Sequence, residues 1–175
     1  MLHIKIIAKG KEMEEVNVSA VEREEVQTEE NVLAGAVGAF LFALVGGVLW
    51  FALYMCGFLA GISGIIGVVC AIKGYSVFGK NESKKGIVIS VLMTIIVLAL
   101  SWYLCLGYDI YDAYNMWYEN GEIDYTLSFF ESVRVAPEFL ADPEVGPAYL
   151  GDLVIGLLLS VVGVGSYLVK KSRKK

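Results

Sequence analysis

Charge is scarce in this chain, and so are proline, cysteine and histidine. Charged residues make up 19% of it, and there are three prolines, three cysteines and one histidine. Soluble domains carry about 25% charged residues, so a water-soluble globule is the first reading to fall. Cys56, Cys70 and Cys105 offer neither CxxC spacing nor a disulfide framework, and read as small hydrophobes. His3 stands alone, so no metal set and no Ser–His–Asp or Cys–His arrangement follows. No catalytic residue, metal or cofactor is assigned. A net charge of −5 excludes nucleic acid as a partner, because that surface must be basic.

What is abundant is apolar. Such residues form 57% of the chain, with 19 glycines and a mean hydropathy of +0.63. From Asn31 to Ile72 no residue carries a formal charge. A charge at the bilayer centre costs several kcal/mol, and roughly 20 residues cross the hydrocarbon. This run therefore holds two passes, with a turn near Tyr54-Met55-Cys56-Gly57. A third uncharged run extends from Gly86 to Tyr108, and a fourth from Leu153 to Val169, extensible back through Tyr149. The expected fold is all-α: a four-helix transmembrane bundle with helices at about 32–54, 57–77, 86–108 and 148–169.

Lysine and arginine set the expected threading. They fall in residues 1–30, between the second and third spans, and in the tail, leaving only Arg134 between spans three and four. Excess Lys and Arg mark the cytoplasmic face. Both termini are thus predicted cytoplasmic, with residues 109–147 an extracytoplasmic cap. Ile4–Ala8 is too short for a signal-peptide core, so the first span is expected to direct insertion itself.

Residues 1–30 read as an acidic cytoplasmic arm, either a small hairpin or a helix, and residues 170–175 as a basic cytoplasmic tail. In the cap, Tyr108, Tyr111, Tyr114 and Tyr118 recur at helical spacing, which prolongs the third helix past the membrane. Asp109, Asp112 and Glu119 are expected on its remaining surface. Asn120-Gly121 should end that helix, Ser128 and Glu131 have capping-box spacing, and Asp142-Pro143-Glu144 reads as a helix start.

Small residues are the most specific pattern inside the spans. Gly57, Gly61, Gly64 and Gly67 line the second span, while Gly156, Ser160 and Gly163 line the fourth. Without a hydrophobic drive between helices in lipid, such residues permit the close approach that holds them together. These positions are expected to pack helices. Asp152 is the acid adjoining the fourth run, and so the candidate intramembrane polar site. Lys170, Lys171, Arg173, Lys174 and Lys175 are expected to anchor lipid headgroups.

Residues 31–169 resemble a group of uncharacterised, glycine-rich four-helix membrane proteins of Gram-positive bacteria. The resemblance rests on Ala34-Gly35-Ala36-Val37-Gly38-Ala39, Gly57-Phe58-Leu59-Ala60-Gly61, Lys73-Gly74-Tyr75, Ser83-Lys84-Lys85-Gly86 and Asp142-Pro143-Glu144-Val145. It implies a bacterial plasma membrane and no particular activity. Members often carry an N-terminal zinc ribbon, but residues 1–30 contain no cysteine, so no zinc carries over. The functional expectation is a non-enzymatic accessory or scaffold protein, acting through helix–helix and loop contacts. Its partners would be the lipid bilayer, other membrane proteins or a second copy. A small oligomeric transporter or channel, using Asp152 or span serines, is the alternative. An enzyme ranks last, because no nucleophile has a base beside it.

Overall fold

The structure, a computed structural model, describes residues 30–58, 60–81 and 83–173. The expectations for residues 1–29, Lys174 and Lys175 lie outside the described residues. Among the described residues there are five α-helices: α1 (Val32–Met55), α2 (Ser63–Gly79), α3 (Lys84–Glu119), α4 (Phe129–Ala141) and α5 (Gly146–Ser172). A 3-10 turn, Ala60–Ile62, leads into α2, and no strand occurs among the described residues. Among the described residues four helical stretches are long and apolar enough to cross a membrane: α1, Ala60–Gly79, α3 and α5.

The helix ends follow local chemistry. Asn31 and Ser83 cap α1 and α3 by accepting from the Ala34 and Gly86 amides at 3.0 and 2.9 Å. At the far end of α1, Gly57 takes φ +71°, and the Gly57 and Phe58 amides return to Tyr54 and Leu53 at 2.9 and 3.0 Å. That is a Schellman closure, which a left-handed glycine makes without steric cost. Gly121 (φ +75°) closes α3 in the same way. Gly57 therefore belongs to the turn rather than to the second span's packing stripe. A Cβ on it would meet nothing within 4 Å.

One further boundary differs from expectation. Asp142 does not open α5. It ends α4, and its carboxylate turns the chain by accepting from the Glu144 and Val145 amides at 2.8 and 3.3 Å. Pro147 instead occupies the first turn of α5, where no amide donor is needed. The third apolar helix, as its aromatic spacing predicts, runs unbroken to Glu119 and ends at Asn120-Gly121, giving 36 residues. That is about 54 Å of helix, against roughly 30 Å of hydrocarbon in a bilayer.

Glycine contacts assemble the four apolar helices. α1 and α2 run antiparallel with their backbones touching: a Cβ on Gly46 would lie 2.6 Å from the Gly67 Cα, and one on Gly38 2.5 Å from the Gly74 carbonyl. α2 and α5 run parallel, and a Cβ on Gly61 would lie 3.1 Å from the Gly156 nitrogen. Gly64 abuts Ser160, and Gly163 abuts Val68 and Ile65. Trp50, fully buried, lays its ring against Gly156. α2 is the central element and α5 the peripheral one: half of the most apolar window of Ala60–Gly79 is buried, against 17% for α5. These directions gather Lys73, Lys80, Lys84, Lys85, Lys170 and Arg173 at one end of the bundle. The 120–145 connection, including α4, lies at the other.

Candidate functional site: the Asp109 clasp

The polar centre of the connection end is Asp109, one turn beyond the buried Cys105 on α3. Its Oδ2 accepts from the hydroxyl of Tyr54, near the end of α1. The same oxygen accepts from the hydroxyl of Tyr149, in the first turn of α5, at 2.5 Å. One carboxylate oxygen thus ties three of the four apolar helices. All three side chains are partly buried, where a charge-assisted bond is stronger than in water. Trp102, two turns before Asp109, adds a second link from α3 to α5 by donating its Nε1–H to the Tyr149 carbonyl at 2.8 Å.

α4 joins the same region. Val133 packs against Gly107, where a Cβ would stand 2.5 Å from the valine Cγ2. Ala136 is fully buried and clusters with Leu106 and Ile110 of α3. Pro137 lies within α4, so the helix lacks the amide that would bond the Val133 carbonyl. The Tyr103 hydroxyl takes that acceptor at 2.9 Å. At the start of α4 the capping box forms as its spacing predicts. The Glu131 carboxylate accepts from the Ser128 hydroxyl and amide at 2.7 and 2.8 Å, and the Glu131 amide reaches the Ser128 hydroxyl at 3.4 Å. The Ser128 hydroxyl, followed by its amide, holds the Glu131 carboxyl below its ordinary value of 4.5.

The residues singled out in the sequence are distributed differently. Asp109 is not surface acid beside Asp112 and Glu119, because its partners arrive from two other helices. Asp152 lies three residues beyond Tyr149 on the exposed side of α5, close enough for its charge to act on that phenol but taking no part in the clasp hydrogen bonds. Gly61, Gly64, Gly156 and Ser160 come together in one crossing, and Gly67 sits in another, against Gly46. Lys170, Lys171 and Arg173 lie at the far end of α5. The aromatics expected on one face of α3 divide: Tyr108 meets Phe51 edge-on at 6.2 Å, and Tyr114 contacts Trp117 and Tyr125 at 5.4 and 5.9 Å.

The hydroxyls within the apolar helices are mostly turned onto their own backbone. Ser90, Thr94 and Ser160 each donate to the carbonyl four residues earlier, at 2.8, 2.8 and 2.9 Å. Among the described residues no group of three His, Cys, Asp or Glu side chains could hold a metal. Chemically, the Asp109 cluster is a carboxylate receiving two neutral phenol donors, an arrangement suited to fastening helices. No protein-family model, curated protein or solved structure matches this chain.

Proposed function

We propose that this chain is a non-enzymatic accessory or scaffold protein of a bacterial plasma membrane, threaded four times with both termini cytoplasmic. In this reading it holds a rigid helical cap on the extracytoplasmic side for contact with other membrane proteins. The observation that carries the reading is the Asp109 clasp, which joins α1, α3 and α5 where the long connection begins. Beyond that point α3 continues for ten residues as a helix that must leave the hydrocarbon. Such an extension transmits or displays position only if its base is fixed, and the clasp together with the Trp102 and Tyr103 bonds fixes it. The threading rests on the gathering of cations at the opposite end, together with the positive-inside rule. The bacterial membrane rests on the family resemblance.

The glycine crossings also favour this reading over a pathway through one copy. They press backbone against backbone, and the Thr94 and Ser160 hydroxyls there are committed to carbonyls of their own helices, while the buried Ser63 hydroxyl has no partner among the described residues. Partner contact would then use the exposed cap, where Phe130 is 83% exposed. The threading is tested by cysteine labelling in intact cells and inverted vesicles. A probe at Asn120 should react from outside and one at Ser83 only from inside; the reverse refutes the orientation. The scaffold role is tested by photocrosslinking from Phe130 in native membranes, which should give one discrete adduct. Ion or solute flux in liposomes containing the purified chain would instead establish the transporter reading.

A further inference from the structure

The half of α5 that runs toward the cationic end carries a face left open to the surroundings. Val162, Gly165, Ser166 and Val169 are exposed along it, and a Cβ on Gly165 would meet nothing within 4 Å. The Ser166 hydroxyl is turned back onto the Val162 carbonyl at 2.9 Å, so this stretch presents no free polar group to hydrocarbon. Lys170 and Arg173 continue the same rows, four residues beyond Ser166 and Val169, and both are exposed. Neither forms an ion pair among the described residues. Two uncompensated cations therefore sit directly beyond a shallow apolar depression on one helix face.

We propose that this face is a binding site for an anionic phospholipid, whose phosphate lies between Lys170 and Arg173 and whose upper acyl chain lies over Gly165. The inference rests on the membrane threading proposed above. Charge complementarity selects the occupant. Arginine meets phosphate oxygens with a planar fork of donors, and lysine adds a compact point charge. A zwitterionic headgroup would bring its own cation toward Lys80, Lys84 and Lys85, which gather at the same end. The missing side chain at position 165 leaves room for methylene groups beneath the headgroup, which a bulkier residue would fill.

The test is native mass spectrometry of the full-length protein from detergent, with phosphatidylglycerol and phosphatidylcholine of identical acyl chains. The wild type should retain phosphatidylglycerol preferentially, and K170Q/R173Q should lose that preference by roughly tenfold. K80Q/K84Q, which removes equal charge from the junction of α2 and α3, should keep it. G165F retains both cations but fills the depression, and should weaken retention of the anionic lipid. Equal retention of the two lipids by the wild type, or equal losses in the two charge variants, overturns the site in favour of diffuse charge. Unchanged retention in K170Q/R173Q overturns it as well. Cysteine labelling at Asn120 and Ser83 is run on the same protein in membranes, so that a failed threading is told apart from a failed lipid site.

Discussion

Tyr103 of α3 supplies to the Val133 carbonyl the hydrogen bond that Pro137 withholds from it. A proline inside a helix removes the amide serving the carbonyl four residues earlier, and here a hydroxyl from another helix replaces it at 2.9 Å. The pairing predicts a non-additive double mutant. Tyr103→Phe should destabilise the protein by about 1 kcal/mol, since the carbonyl loses its donor. In a Pro137→Ala background the restored amide serves the same carbonyl, so the loss should largely vanish. Thermal unfolding in detergent over the four-member cycle measures the coupling. Equal losses in both backgrounds would show that the carbonyl does not depend on Tyr103.

Asp109 gives the sharpest contrast with the acid that its neighbourhood in sequence favours. Asp109→Ala removes the acceptor for both Tyr54 and Tyr149, and should cost about 2–3 kcal/mol, because each bond is to a charged group. Asp109→Asn keeps one acceptor oxygen without the charge, and should cost about half as much. Asp152→Asn, on the exposed side of α5, should leave stability unchanged. Parallel melting curves rank the three. Asp152→Asn ranking above Asp109→Ala would mean that the clasp is not what secures this end.

The glycine crossings predict a positional pattern. Gly64→Leu drives a side chain into Ser160 and the Gly156 carbonyl, and Gly46→Val drives one into the Gly67 backbone. Backbone cannot move aside as a flexible side chain can, so each should cost on the order of 1–3 kcal/mol. Gly151→Leu, with nothing within 4 Å of its Cβ, should be neutral or mildly stabilising through helix propensity. Melting temperature and light scattering are read on the same samples. If Gly64→Leu alters oligomeric state at constant melting temperature, that glycine serves a subunit contact instead.

The capping box of α4 should respond to acid. The Glu131 carboxyl is held below 4.5 by its bonds to Ser128, so its folded pKa lies beneath its unfolded one. The stabilisation is then complete above the unfolded value and is lost as pH falls through the depressed folded value. Amide protection at the start of α4, taken relative to the intrinsic exchange rate at each pH, should fall only below about pH 4.5. Glu131→Gln still accepts from the Ser128 amide without titrating, and its profile should stay flat. A loss of protection of the same size in Glu131→Gln would assign the transition to another group.

The four apolar helices were legible because lipid imposes a severe constraint on local sequence. A charge in the hydrocarbon costs several kcal/mol, so uncharged runs alone mark where a helix can cross. Local signals placed several ends as well. Asn120-Gly121 terminates α3, and Ser128 and Glu131 start α4, because caps involve residues only three to five apart. Asp142 misled for a related reason: a short acidic side chain turns a chain between helices as readily as it opens one.

Partnership was a different matter. The second span's small residues formed a single stripe in the sequence, yet Gly67 faces α1 while Gly61 and Gly64 face α5. Periodicity fixes which residues share a face, and says nothing about which helix arrives there. Asp109 looked like surface acid because its donors, Tyr54 and Tyr149, are 55 and 40 residues away. The Tyr103–Val133 bond spans 30 residues in the same way. By itself the sequence determined the helices and where they can end, since those depend on solvation and on neighbours along the chain. Only the tertiary structure decided which faces meet and which carboxylate is shared, because those depend on how helices distant in sequence lie beside one another.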